Sequence, residues 1–191
     1  FMDNIMRRVV LAALLPLFSL PVFAQSGEVD RLANEIESEV ISWRHHLHEY
    51  PELSNREFKT AEYVARHLRS LNLEVQTGVA KTGVVAILDS GRPGPVVALR
   101  ADMDGLPVPE ENDLPWRSTQ RGEYNGNDVP VMHACGHDTH MAMLMGAASV
   151  LTSMKDKLHG KVKFIFQPAE EGAPAGEKGG AEVMVQEGVL K

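Results

Sequence analysis

The chain is poor in cysteine, in basic charge and in long apolar runs. With a single cysteine in 191 residues, Cys135, no disulfide can close within the chain. Nineteen basic side chains stand against 26 acidic ones, a net charge of −7, which argues against a nucleic-acid partner. The apolar stretch over residues 9–22 falls short of the roughly 20 residues a membrane-spanning helix needs. It is also broken by Pro16 and Pro21. Repeats and low-complexity tracts are absent. So is the H-E-x-x-H pattern, since His137 and His140 are three apart, which disfavours a thermolysin-like zinc site.

What stands at the N-terminus instead is the order of a secretory leader. Arg7 and Arg8 form a basic start, residues 9–22 an apolar core, and Val22-Phe23-Ala24 a small-residue cleavage site. The reading is a signal peptide over residues 1–24, a mature chain from Gln25, and a periplasmic or secreted protein with no stable membrane anchor after cleavage. Removing the leader, with its net charge of +1, leaves −8 on the remainder. In an oxidising compartment a lone cysteine is a liability unless it is buried or metal-bound. Phe1 precedes two candidate initiators, Met2 and Met6, and Lys191 follows a helix-like segment without terminating features. The sequence therefore reads as a fragment of a longer open reading frame, with residues 25–191 the N-terminal part of one catalytic domain.

Periodicity predicts a helix over 28–50, carried by Leu32, Ile36, Val40, Trp43 and Leu47 and ended by Pro51. Ser54-Asn55-Arg56-Glu57 has the form of a capping box opening a second helix, lined by Phe58, Ala61, Ala65 and Leu68. Residues 73–77 and 83–89 are strand-like. After the turn at 90–94, residues 95–101 form a continuous apolar strand of the kind found in a sheet covered on both faces. About 25 irregular residues punctuated by Pro and Gly follow. A helix over about 138–157 buries Met141, Leu144, Met145, Ala148 and Leu151, its methionines as core residues. A strand over 161–167, a Gly/Pro-rich loop and a short helix over about 180–187 complete the order. Interleaved helices and apolar strands predict an α/β layered sheet with helices on both faces.

Ligands of such sheets gather beyond the carboxyl ends of the strands. Asp102/Asp104 and Glu170/Glu171 both sit where a predicted strand runs out, and Cys135 and His137 sit in a loop entering a helix. Three polar clusters distant in sequence thus converge on one sheet edge. A thiolate and an imidazole suit zinc-like ions, with Gly136 permitting the turn that brings both onto one ion. Adjacent side chains on an extended segment point oppositely, so one glutamate of the pair would bind metal while its neighbour faces substrate. Asp102 and Asp104 share a face, and either is placed to ligate or to orient a ligand histidine. His140 reads as a packed or supporting histidine. Against this stand two other readings: Cys135 as a nucleophile activated by His133 or His137, and a charged turn at Glu170-Glu171 with no function.

Four stretches carry a family likeness: Leu47-His48-Glu49-Tyr50-Pro51-Glu52-Leu53-Ser54, residues 98–108 around Asp102-Met103-Asp104-Gly105, residues 132–141, and residues 164–172 around Gln167-Pro168-Ala169-Glu170-Glu171. In that order they closely resemble the hippurate hydrolase branch (subfamily D) of metallopeptidase family 20. That branch includes N-acyl-amino-acid amidohydrolases and plant auxin-conjugate hydrolases. The resemblance implies a di-metal amidase, with two divalent ions, zinc or manganese. Cys135, His137 and Glu171 match ligands, Glu170 the general acid/base, and Asp104 the aspartate that orients a ligand histidine. Other branches carry His-x-Asp where this chain has Asp102-Met103-Asp104, which shifts metal binding toward Cys135 and leaves open whether Asp102 is a ligand. The implied substrate is a small N-acyl amino acid or short peptide, and the implied full-length protein a homodimer. Relatives continue past residue 191 with further ligand histidines and a lid and dimerisation domain, so the implied activity belongs to the longer protein. A catalytically inactive peptide- or conjugate-binding protein of the same fold is the alternative.

Overall fold

The computed structural model describes residues 22–191, with side chains from residue 27 onward. The basic start of the leader and its apolar core up to residue 21 lie outside the described residues. The cleavage motif falls within the first helix, α1 (Val22–Glu35). No described helix is long and apolar enough to cross a membrane. The single helix predicted over 28–50 is two, because α2 (Glu37–Glu49) starts after a break at Ile36. There the amide of Ile36 bonds three residues back to Ala33, tightening the turn and interrupting the ladder.

The capping box is also not formed. Helix α3 (Phe58–Ser70) begins without a side-chain cap, and Phe58 is exposed while Ala61, Val64, Ala65 and Leu68 are buried. Ser54 and Glu57 are turned instead toward the strand ends, a competition that local sequence cannot reveal.

Strands β1 (Glu74–Val79), β2 (Gly83–Asp89) and β3 (Val96–Asp102) follow. The stretch predicted as irregular contains a hairpin, β4 (Arg121–Tyr124) and β5 (Asn127–Pro130), closed through Asn125 and Gly126 in left-handed conformation. Helix α4 (His137–Ser153), a 3-10 turn at Lys155–Lys157, β6 (Lys161–Gln167) and α5 (Gly180–Gln186) complete the chain. The main sheet has the order β1-β2-β6-β3, with β3 and β6 parallel and the other pairs antiparallel.

Alternation along the strands sorts the core. Val84, Ala86, Leu88, Phe164 and Phe166 face α2, α3 and α4, meeting Leu47, Val64, Leu68, Met141, Met145 and Ala148. Val85 and Ile165 point to the opposite face, where Val79 and Met184 of α5 cover them. Full burial of side chains such as Phe164 and Phe166 contributes about 1.5–3 kcal/mol each. Helices thus lie on both faces, as predicted. The expectation that residues 95–101 are covered on both faces fails at the amino end of the strand. β3 is an edge strand, and Val96 and Val97 are 61% and 49% exposed.

The parallel pair positions everything that follows. Asp102 pairs with Gln167, so β3 and β6 run out together, and Met103 N–H still donates to the Gln167 carbonyl at 2.9 Å. The first turn of α4 arrives at the same edge.

Candidate metal centre

Gly136, at φ 87°, occupies the position ahead of α4 in the left-handed conformation that glycine adopts without steric cost. That turn lets Cys135 and His137 face the same space. Ligand atoms of Cys135, His137 and Glu171 lie within 4.8 Å of one another, and those of Asp102, His137 and His140 do the same. His137 is shared by both groups. The fold therefore assembles the three residues predicted as ligands, and it adds His140, an exposed side chain beside Asp102 rather than a packed one.

His137 is buried and its orientation is fixed. Nδ1 lies 2.9 Å from the backbone carbonyl of Asp104, which can only accept, so Nδ1 carries a hydrogen and Nε2 is turned toward the acidic groups. Nε2 stands 3.7 Å from a Glu170 oxygen and 3.8 Å from a Glu171 oxygen. The orienting role expected of Asp104 is thus filled by its main chain. The Asp104 carboxylate, 3.6 Å away from Nδ1, has other work. Its oxygens accept N–H bonds from Glu170 and Glu171, both 3.0 Å, and a 2.6 Å hydroxyl bond from Ser54. Burial pushes the Asp104 carboxyl up, but the His137 ring, Ser54 and the two amides together hold it below the ordinary range.

The glutamate pair departs from expectation. Residues 168–171 form a bend rather than an extension of β6, and Ala169 sits at φ +49°. Both carboxylates therefore approach His137 instead of pointing to opposite sides. They differ in exposure: the Glu170 side chain is 39% accessible, whereas Glu171 is more enclosed and its Oε1 is buried without a hydrogen-bond partner. A buried carboxylate oxygen without a partner, beside a thiol and an imidazole nitrogen, is a donor set that fits a divalent cation. The Glu171 carboxylate and, secondarily, burial push the Cys135 thiol up to about 11. Ionising it, for attack or for ligation, needs a base or a cation beside it. His133 offers it no help, since both of its ring nitrogens are buried and without partners.

Asp102 is committed on one side. Arg100 grips it through two parallel bonds of 2.9 Å, offsetting its charge and fixing the carboxylate plane. A second polar network begins at the residue after His137. Asp138 Oδ2 accepts a 2.9 Å bond from Arg44 and lies 2.9 Å from His48 Nδ1, while His48 Nε2 lies 2.8 Å from Glu110 Oε1. Glu110 also accepts bonds from Asn112 and from the Ser118 amide. Sequence reasoning overlooked this network, and it overlooked Glu57, since a histidine inside an amphipathic helix and a glutamate ahead of one carry no distinguishing local pattern.

Residues 98–191 match the model of a family described as Peptidase family M20/M25/M40. The chain is 47% identical over 163 residues to an N-acyl-L-amino acid amidohydrolase of Geobacillus stearothermophilus, covering 85% of this chain and 41% of that protein. It is 48% identical over 166 residues to thermostable carboxypeptidase 1 of Saccharolobus solfataricus, covering 85% and 39%. Among solved structures, a dinuclear metal-binding peptidase of the M20 family from Bacillus subtilis superposes with a TM-score of 0.69 at 39% identity, covering 87% of this chain and 41% of that one. The chain thus spans about two fifths of the length of the relatives it matches.

Proposed function

Because the chain carries, over residues 98–191, a segment of peptidase family M20/M25/M40, we propose that its full-length form is a metal-dependent amidohydrolase that releases an amino acid from an N-acyl conjugate. The observation that carries this reading is the cluster of Cys135, His137 and Glu171 ligand atoms within 4.8 Å, with the Glu170 carboxylate 3.7 Å from His137 Nε2. Its likeness to an N-acyl-L-amino acid amidohydrolase supports the substrate class, and its likeness to a dinuclear peptidase supports two divalent ions. Cys135, His137 and Glu171 would hold metal, and Asp102 and His140, which share His137, are the nearest further donors. Thiolate and imidazole favour zinc, and the carboxylates also accept manganese. Such ions supply Lewis acidity that polarises an acyl carbonyl and acidifies water.

The protein's own groups supply the rest. Glu170, the more exposed carboxylate of the pair, takes a proton from the attacking water and returns it to the leaving amine. Asp104 holds the Glu170 and Glu171 amides, fixing where both carboxylates stand, and its carbonyl keeps Nε2 of His137 facing inward. No covalent acyl-enzyme is required. Export belongs to the same proposal, supported by the basic, apolar and small-residue order of residues 7–24, and sequencing the mature N-terminus should find Gln25 first.

The test is a panel of N-acyl amino acids assayed on the full-length protein after chelation and after add-back of zinc or manganese. Activity should vanish and return. Elemental analysis of Cys135→Ser should show less than the wild-type metal content, and wild-type stoichiometry there would contradict the ligand role.

A further inference from the structure

Three consecutive backbone N–H groups in the turn that presents the glutamate pair each donate to a buried carboxylate. Those of Glu170 and Glu171 go to the two oxygens of Asp104, and that of Ala169 goes to Glu57 Oε1 at 2.9 Å. Glu57 comes from the segment ahead of α3, 112 positions away in sequence, and is 0% exposed. Its other oxygen accepts a 2.6 Å bond from the Thr82 hydroxyl, which ties it to the start of β2. Burial raises the Glu57 carboxyl to about 7, and its bonds from Thr82 and Ala169 offset only part of that cost.

The residue it holds is unusual. Ala169 is buried at φ +49°, a left-handed conformation that an alanine keeps only where its surroundings over-determine it. Pro168 beside it is hemmed in as well: a Cβ on Gly180 would fall 1.9 Å from the Pro168 carbonyl oxygen. Were Ala169 to relax to the extended region, residues 170 and 171 would swing together away from the strand ends, losing the Asp104 bonds to their amides and the approach of both carboxylates to His137. The left-handed turn is what brings both to His137.

We propose that Glu57 is a positioning residue for the Glu170–Glu171 pair, holding Ala169 in its left-handed conformation so that both carboxylates face the His137 ring. The inference rests on the reading of Glu171 as a ligand and Glu170 as the acid/base.

The experiment compares Glu57→Ala, Glu57→Gln and Glu57→Asp in the full-length protein. Hydrogen exchange of the peptide spanning 168–172, metal affinity by chelator competition, and kcat and KM are measured for each. Gln keeps an oxygen able to accept the Ala169 N–H, whereas Asp is one methylene too short to reach it. In Glu57→Ala and Glu57→Asp, exchange in 168–172 should quicken, and metal affinity and kcat should fall about 10–100-fold with KM little changed. Glu57→Gln should retain wild-type exchange and most of kcat. Should Glu57→Ala fail to fold, the contrast between Asp and Gln decides alone. Wild-type exchange and kcat in Glu57→Asp would overturn the proposal, as would a Gln variant as impaired as Asp. If the wild type itself hydrolyses no amide, the functional reading fails, and exchange and metal affinity still decide whether Glu57 holds the turn.

Discussion

His137 and Asp138 are neighbours in the first turn of α4, yet each anchors a different kind of polar cluster. Around Asp138 the groups are matched: Arg44 and His48 meet its carboxylate, and Glu110 closes the far side of the ring with Asn112 and Ser118 in support. Around His137 they are mismatched. Two glutamates, a thiol and the Asp102 carboxylate crowd the open side of one imidazole, and Glu171 Oε1 has no partner. Satisfied networks lock elements together, and here the network pins α2 and the loop through Glu110 to α4. An unsatisfied cluster of like charge is costly to the fold and is retained where a cation or a reaction uses it.

The comparison predicts opposite losses from the two clusters. The largest effect belongs to Glu170→Gln in the full-length protein, which should cut turnover by about 10²–10⁴-fold while metal content stays near wild type. Unchanged hydrolysis would remove Glu170 as the base. On the matched side, His48→Ala leaves two buried carboxylates facing each other and should lower stability to denaturant by about 3–5 kcal/mol. If His48→Ala were as stable as wild type, the division between a locking network and a working one would collapse.

A smaller effect sharpens the comparison at the turn itself. The Glu57 carboxyl is raised from 4.5 to about 7 by burial, so the folded protein binds its proton more tightly than the unfolded chain does. Its stability contribution is full below pH 4.5 and is lost as pH rises through about 7. Glu57→Gln should flatten the decline in melting temperature between pH 5 and 8, and a pH profile identical to wild type would show that this group does not titrate there. Smallest is Gly136→Ala, which places a Cβ in a left-handed conformation and should cost about 1–2 kcal/mol, visible as a modest drop in melting temperature.

Legibility differed along the chain for physical reasons. β2, β6, the start of α4 and the buried methionines announce themselves by apolar period and length, and each appears where the pattern puts it. The break at Ile36, the fate of Ser54 and the bareness of Val96 do not. A helix stripe runs through Ile36 unbroken. Ser54-x-x-Glu57 satisfies the capping pattern equally well whether or not its oxygens find better partners elsewhere. An apolar strand looks alike in sequence whether it lies inside a sheet or at its edge.

For the centre itself, the sequence determined which chemistries were available: one thiol, the histidines around it, and acidic pairs at the ends of two strands. Residue type and strand ends are local properties, so they are readable without a fold. Tertiary structure alone decided that β3 and β6 end in register, that Asp104 grips main chain while its carbonyl orients His137, and that Glu57 reaches across to hold Ala169. Those outcomes depend on hydrogen bonds between groups 33 to 112 positions apart, and no periodicity within a segment records which distant partner will win.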